Sequence, residues 1–317
     1  MASTGEVILK SRPILLVALG GNALIRKGQR GTIDEQFENL RVPISQIARL
    51  TKDYRIIITH GNGPQVGNLL LQQECCREVP KMPLEILVAQ TQGQIGYMIE
   101  STLDSELMRQ GIAISKPLVS LISYVVVDEN SSAFRNPIKP IGPTYPGEVA
   151  DALPYPVKKT EKGYRRVVAS PEPVTIVEKS EIVKLIEMDF VVICCGGGGI
   201  PVVREGRSFA GVDAVIDKDL ASSKLALEVG VDTFIIATDV SGVAVDYEKD
   251  TRRFLKNLTL YDTEVYTAQG QFSEGSMLPK IQAAKAFIRG GGRRAIITAI
   301  ESIEDAMAGK AGTEITL

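Results

Sequence analysis

The sequence is short of several things. No apolar run reaches the ~18 residues that a membrane-crossing helix needs, so no such helix is expected. The first dozen residues lack the charged–apolar–small order of a secretory signal. Cysteine is scarce: the four residues fall in two vicinal pairs, Cys75-Cys76 and Cys194-Cys195. Neither pair has the Cys-x-x-Cys spacing of zinc or thioredoxin-like chemistry, so a reduced, cytoplasmic protein is expected. The later pair sits in an apolar run, where cysteine serves as a small buried hydrophobe. Charge of one sign is also missing. The formal net charge is −2, so no bulk basic field argues for nucleic acid or an anionic membrane. Histidine occurs once, as His60 at a strand end, where a structural role outweighs a catalytic one.

What is present is an ordinary globular composition, 44% hydrophobic and 23% charged over 317 residues. That is enough for one large α/β domain or two lobes with real cores. Residues 1 to 10 read as a polar leader with little to order it. Ile14 to Leu19 is a short apolar strand running into Gly20-Gly21-Asn22-Ala23-Leu24. Paired glycines let a backbone approach a ligand and aim its N–H groups at it. Phe37, Leu40, Ile44, Ile47 and Leu50 have helical spacing across residues 35 to 52. Pro43 falls inside, so a kink, or a helix whose regular part begins at Pro43, is expected.

A second strand, Ile56 to Thr59, ends in His60-Gly61-Asn62-Gly63-Pro64-Gln65-Val66-Gly67. A long helical pattern covers residues 84 to 110 and closes at Gly111. Gly93 and Gly96 inside it suggest close packing, either within the protomer or against a second subunit. Leu118 to Val127 reads as a strand. From about Asp128 to Pro173 prolines and charges are dense and periodicity is weak, a stretch too long for an ordinary loop. Long ordered excursions are often lids or binding loops. A helix near Lys179 to Met188 comes next, then the strand Phe190 to Cys195, which ends in Gly196-Gly197-Gly198-Gly199. Thr233 to Ala237 leads to Thr238-Asp239-Val240-Ser241-Gly242, Leu278 to Arg289 is helical, and strands close the chain at Ala295 to Ile300 and Thr313 to Leu317. Strands alternating with helices predict a mostly parallel sheet covered on both faces.

One stretch organises the rest: Ala214-Val215-Ile216-Asp217-Lys218-Asp219-Leu220-Ala221. An apolar run ends in an acid–base–acid triplet at the start of a helix that stops at Gly230. A helix N-terminus carries unpaired N–H groups and positive potential, so it favours phosphate, and Lys218 adds a full charge there. Asp219 falls in the first turn, where it can cap the helix and orient neighbouring cations. A plain helix cap with a solvated lysine beside it is the alternative.

Two familiar phosphate motifs fail. No Gly-x-x-x-x-Gly-Lys-Ser/Thr run exists. Gly61 to Gly67 nearly meets the dinucleotide pattern, but Cys75 to Pro83, where the acidic strand end should lie, holds two prolines and no strand pattern. What remains is several glycine-rich strand ends with Lys218 and Lys280 nearby. Backbone N–H groups and lysines aimed at one point suit phosphoryl transfer, in which negative charge builds on equatorial oxygens.

These residues resemble the amino acid kinase superfamily and, within it, the carbamate kinase family. The matching pieces are Ala18 to Leu24, Gly61 to Gly67, Gln92-Gly93-Gln94-Ile95-Gly96-Tyr97, Pro137-Ile138-Lys139-Pro140-Ile141-Gly142-Pro143, Arg165 to Val168, Gly196 to Pro201, Ala214 to Ala221, Thr238 to Gly242 and Gly275 to Lys280. They cover nearly the whole chain in the expected order. The resemblance implies an α/β fold, an open αβα sandwich with a mainly parallel eight-stranded sheet and a protruding lid subdomain at about 128–173. It implies an N-terminal lobe, 1–188, for carbamate or carbamoyl phosphate and for dimerisation, and a C-terminal lobe, 189–317, for nucleotide. Gly20, Gly21, Asn22, Gly61, Asn62 and Gly63 would cradle the carbamate and the transferred group. Lys139 would reach in from the lid, Lys218 and Lys280 would neutralise phosphate charge, and Asp219 would orient the lysines. Gly197, Gly198, Thr238, Asp239, Val240, Gly242 and Met277 would lie along ATP or ADP. Magnesium would be held mainly by phosphates and water, with no dedicated protein metal site. The implied reaction is reversible, ATP plus carbamate giving ADP plus carbamoyl phosphate, run toward ATP in arginine or related nitrogen catabolism. The implied partners are these substrates and a second copy of the chain. The Cys194-Cys195 pair departs from the small residues expected before the glycine run.

Three rival readings remain at this level. A kinase of the same superfamily could act on a larger carboxylate, which the Lys139 excursion opposes because it would close over a very small acceptor. A non-catalytic sensor would be expected to lose some of Lys139, Lys218, Asp219 and Lys280. A purely structural oligomer leaves four glycine-rich junctions unexplained.

Overall fold

The computed structural model describes residues 12–76, 78–112, 116–150, 152–160 and 163–317. The expected polar leader, residues 1 to 10, lies outside the described residues. The centre of the fold is the strand Ile14–Leu19, whose six apolar side chains are all buried. It pairs in parallel with Thr233–Thr238 on one side and Arg55–His60 on the other, with Leu16 level with Phe234 and Ile57. Strand side chains alternate between faces. Leu15, Val17 and Leu19 therefore pack on Leu40, Ile44 and Ile47 of the helix Ile33–Leu50 and on Ile95, Ile99 and Leu103 of the helix Leu84–Arg109. Leu16 and Ala18 pack in the opposite layer with Leu225 of the helix Lys218–Glu228 and with Ile281, Ala284 and Phe287 of the helix Met277–Arg289. An all-apolar strand is thus the signature of a sheet covered on both faces. Leu16 is fully buried, and truncating such a leucine to alanine costs about 2–5 kcal/mol.

The sheet has eight strands, in the order Asn257–Thr259, Thr313–Thr316, Arg294–Ala299, Thr233–Thr238, Ile14–Leu19, Arg55–His60, Val191–Ile193, Leu118–Ser120. Among the described residues, only the Arg294–Ala299 and Thr313–Thr316 pair of this sheet is antiparallel. The layers and the mainly parallel eight-stranded sheet are those of the expected αβα sandwich.

Two local expectations need correction. Leu118 to Val127 is not one strand. Leu118–Ser120 pairs with Val191–Ile193, whereas Tyr124–Val127 belongs to a separate four-stranded sheet beside Ile200–Glu205. The chain turns at Ser123, whose backbone N–H donates to Gln92 Oε1 (2.9 Å) and whose hydroxyl accepts from Cys195 N (3.0 Å). The helix holding Pro43 starts at Ile33, well before the proline. A reciprocal cap fixes that start: Thr32 Oγ1 accepts from Glu35 N (3.3 Å), and Glu35 Oε2 accepts from Thr32 N (2.9 Å). Pro43 is buried inside the helix, so tertiary burial, not local propensity, keeps it there. The proline-rich excursion, whose periodicity is weak in the sequence, is ordered as strands. Lys139–Tyr145, Gly163–Val168 and Val157–Thr160 form a three-stranded antiparallel sheet.

Candidate active site

Four adjacent parallel strands, Thr233–Thr238, Ile14–Leu19, Arg55–His60 and Val191–Ile193, end along one edge of the main sheet. In such sheets ligands bind beyond the carboxyl ends of the strands. Here the edge is built of glycine because the junctions interlock. Gly61 N donates to Leu19 O (3.0 Å), and a Cβ on Gly61 would lie 3.2 Å from Gly21 N. Gly197 has φ +66°, and a Cβ there would collide with the Asn62 side chain. Asn62 is itself fixed, its Nδ2 donating to Thr91 Oγ1 (2.9 Å) in the helix Leu84–Arg109. Any side chain at these glycines would push the strand ends apart or fill the space between them.

Charge is added from two helices and the three-stranded sheet. Asp217 caps the helix Lys218–Glu228, its Oδ1 accepting from Asp219 N (2.9 Å) and Leu220 N (3.3 Å). The cap expected of Asp219 therefore belongs to Asp217, two residues earlier. Asp219 is left to gather cations. Its carboxylate pairs with Lys218 Nζ (2.6 Å) and with Lys280 Nζ (2.9 Å) from the first turn of the helix Met277–Arg289. Burial opposes the Asp219 charge, but the two ammonium groups overcome it and hold the carboxyl down at about 2. Burial pushes the Lys218 ammonium below the ordinary lysine range, Asp219 pulls it back up and Lys280 adds to the lowering. Lys218 also reaches Ala18 O (3.5 Å), under the first glycine turn. Lys139, the first residue of its strand, pairs with Asp217 Oδ2 (2.8 Å).

Together these residues enclose a cavity of about 340 Å³. Gly20, Gly21, Asn22, Gly61, Asn62 and Gly63 form one wall; Lys139, Lys218, Asp219 and Lys280 face them. A second cavity of about 640 Å³ opens beside it, lined by Val240, Met277, Tyr247 and Gln271 among others. Thr238, Asp239, Ser276 and Lys280 line both. The first space has the size and charge for one or two small anions, and the second for a larger, partly apolar molecule.

The amino acid kinase family model matches residues 13–299 of the chain. A carbamate kinase from Thermococcus kodakarensis is 45% identical over 311 residues, covering 95% of this chain and 98% of that protein. One from Clostridium perfringens is 41% identical over 312 residues, covering 95% and 99%. The chain belongs to the amino acid kinase family, in its carbamate kinase branch. Its structure agrees: the carbamate kinase from Giardia lamblia bound to AMP-PNP superposes with a TM-score of 0.88 at 37% identity, over 96% of this chain and 99% of that one.

The fold of an amino acid kinase thus brings together most of the residues singled out in the sequence, but not all. Gly197 lines the smaller cavity and not the larger one along which nucleotide was expected. Gly198 and Gly242 line neither. A Cβ on Gly198 would strike Ile216 O, and one on Gly242 would crowd Thr313 Oγ1 at 2.7 Å, so both serve close packing behind the cavities. His60 is buried with Nδ1 3.1 Å from Gly61 O, and burial, with the nearby Lys218 charge adding, lowers it to about 4. A Cβ on Gly196 would collide with its ring. It is a neutral packing residue under the glycine turns. Cys194 and Cys195 are buried, and the mutual hydrogen bond and burial push the Cys194 thiol up, away from the reactive thiolate. Gly96 packs on Ser120, within the protomer, whereas no described atom approaches Gly93. Asp217 was missed as a site residue. Its signal was present in the sequence as the first acid of the triplet, directly before the helix.

Proposed function

We propose that the paired cavities are the phosphoryl-transfer site of a carbamate kinase, which interconverts ATP plus carbamate and ADP plus carbamoyl phosphate. The observation that carries this reading is the gathering of Lys139, Lys218 and Lys280 around a glycine-walled space of about 340 Å³, next to a larger one that shares Lys280. Carbamate carries its own anionic oxygen, so no general base is needed. The barrier to be lowered is repulsion between two anions, and three ammonium groups with backbone N–H donors do that. Gly20, Gly21, Asn22, Gly61, Asn62 and Gly63 hold the carbamate and the transferred group. Lys218 and Lys280 neutralise its equatorial oxygens. Asp219 holds those two lysines in place, and Lys139 closes the acceptor side. Thr238, Asp239, Val240 and Met277 lie along the nucleotide.

The donor set fits a magnesium ion brought on the nucleotide. Among the described residues no group of three His, Cys, Asp or Glu converges, and Asp219 already holds two lysines. Asp239, on the wall common to both cavities, is the carboxylate that would face such an ion through water. When bound, the ion supplies charge neutralisation at the phosphates.

The lobe division has the same logic, with 1–188 supplying the acceptor side and 189–317 the nucleotide side. We assign the chain to a cytoplasmic homodimer that works toward ATP in arginine or related nitrogen catabolism. The dimer face suggested is the stripe Ile86, Gly93, Tyr97 and Met108 on the helix Leu84–Arg109, where the three larger residues are exposed. Positions eleven apart in a helix fall on one face. The test of the function is ATP formation from ADP and carbamoyl phosphate with Mg²⁺, beside Lys218→Ala. Turnover that collapses in the variant supports both reaction and site; folded protein that binds ADP but makes no ATP rejects the assignment.

A further inference from the structure

We propose that Asp217 is a positioning residue for this transfer, one that presets the lid lysine Lys139 over the acceptor end of the cleft. The proposal rests on the carbamate kinase function. The two oxygens of Asp217 have separate tasks. Oδ1 accepts from Asp219 N (2.9 Å) and Leu220 N (3.3 Å), and Oδ2 accepts from Lys139 Nζ (2.8 Å). One carboxylate therefore ties the three-stranded lid to the helix whose first two residues are Lys218 and Asp219. The lid is fastened to the same approach segment elsewhere: Val215 N donates to Ala169 O (3.0 Å), and Arg166 Nη2 pairs with Asp213 (3.1 Å). Of these attachments, Lys139–Asp217 is the one whose two partners both line the cavity.

The Lys139 side chain is 39% exposed, and an ion pair this open adds little stability. Its value is geometric. An ammonium has three donors, so one spent on Asp217 leaves two to meet phosphoryl or carbamate oxygens. Without the carboxylate, the long stem of Lys139 samples many rotamers and must be ordered at each binding event.

Asparagine caps helices about as well as aspartate but does not attract an ammonium. Asp217→Asn is therefore expected to keep Tm near that of the wild type. In the ATP-forming assay its kcat/KM for carbamoyl phosphate should fall roughly five- to fiftyfold, inside the span for coupled neighbours, while KM for ADP changes less than about twofold. In a Lys139→Ala background the same substitution should cost no more than about twofold, because the residue it acts through is gone. Losses that multiply in the double variant, or wild-type kcat/KM in Asp217→Asn, overturn the proposal while leaving the function intact. If Asp217→Asn folds poorly, Asp217→Ser, which keeps a capping oxygen, is read in the same cycle by the same criteria. Absence of turnover in the wild type defeats the function itself, and this proposal with it.

Discussion

The floor of the cleft and its lid hold their lysines in opposite ways. On the floor, Lys218 and Lys280 are 12% and 16% exposed and share a carboxylate that is itself 6% exposed. On the lid, Lys139 is more than a third exposed and leans on a carboxylate whose other oxygen is already engaged. The lid itself packs through Ile141 and Val168 on Val66 and Leu70 of the helix Gly63–Cys75. Tyr145 and Tyr155 both donate to Glu74 (2.7 Å each), on the helix Gly63–Cys75, and burial raises both phenols so that they stay protonated. The floor charges therefore form a buried, ion-paired unit, whereas the lid's charge is carried at the half-exposed end of a strand packed on a neighbouring helix. On the proposed function, catalytic preorganisation would fall to the floor and ligand access to the lid.

The sharpest way to break that contrast is to remove the shared floor carboxylate. Asp219→Ala leaves two buried ammonium groups facing each other, which should cost about 3–5 kcal/mol of stability along with nearly all activity; Tm and ATP formation report both. A variant as stable as the wild type would show that the floor is not an ion-paired unit. Next come the lysines themselves. Lys218→Ala should lower kcat by roughly 100-fold or more, and Lys139→Ala by at least about tenfold with Tm shifted by less than ~2 °C. Equal loss of stability in the two would erase the distinction between floor and lid.

The pH dependence should sharpen it. Burial disfavours the Lys218 ammonium, so the alkaline limb of kcat should fall below the ordinary lysine range, with activity lost as pH rises through it. Lys280→Ala removes a neighbouring positive charge and should move the limb of its residual activity upward; an unmoved limb would place the titrating group elsewhere. The smallest effect concerns packing below the floor. His60 resists protonation down to about 4 when folded, against 6.5 unfolded. The unfolded chain thus binds the extra proton, and stability should fall by roughly 2 kcal/mol as pH drops from about 6.5 to about 5. Urea unfolding of His60→Gln should show a shallower slope across that window, and an unchanged slope would assign the proton to other groups.

Much of the fold was legible because its signals are local. An unbroken apolar run such as Ile14–Leu19 marks a strand buried on both faces, and glycine directly after it marks the sheet edge. The lid was harder to read. Lys139–Tyr145 holds two prolines and a glycine in seven residues, and its pairing with Gly163–Val168 shifts register between Ile141 and Thr144, which removes strand periodicity. Gly197, Gly198 and Gly242 could not be sorted by sequence, because whether a missing Cβ makes room for a ligand or for Ile216 and Thr313 depends on residues far along the chain. Asp217 and Asp219 look alike in the triplet. Only the helix start decides that one caps and the other collects cations.

The wall common to the two cavities has a consequence for how the ligands sense each other. Thr238, Asp239, Ser276 and Lys280 border both spaces, so neither can be filled without altering the surroundings of the other. In the proposed assignment a single ammonium, Lys280, would answer to two tenants. Whatever change in affinity the nucleotide imposes on the small anion, the small anion must impose on the nucleotide by the same factor. With the substrates placed as proposed, they would be thermodynamically linked through this shared wall, with no movement of the sheet required.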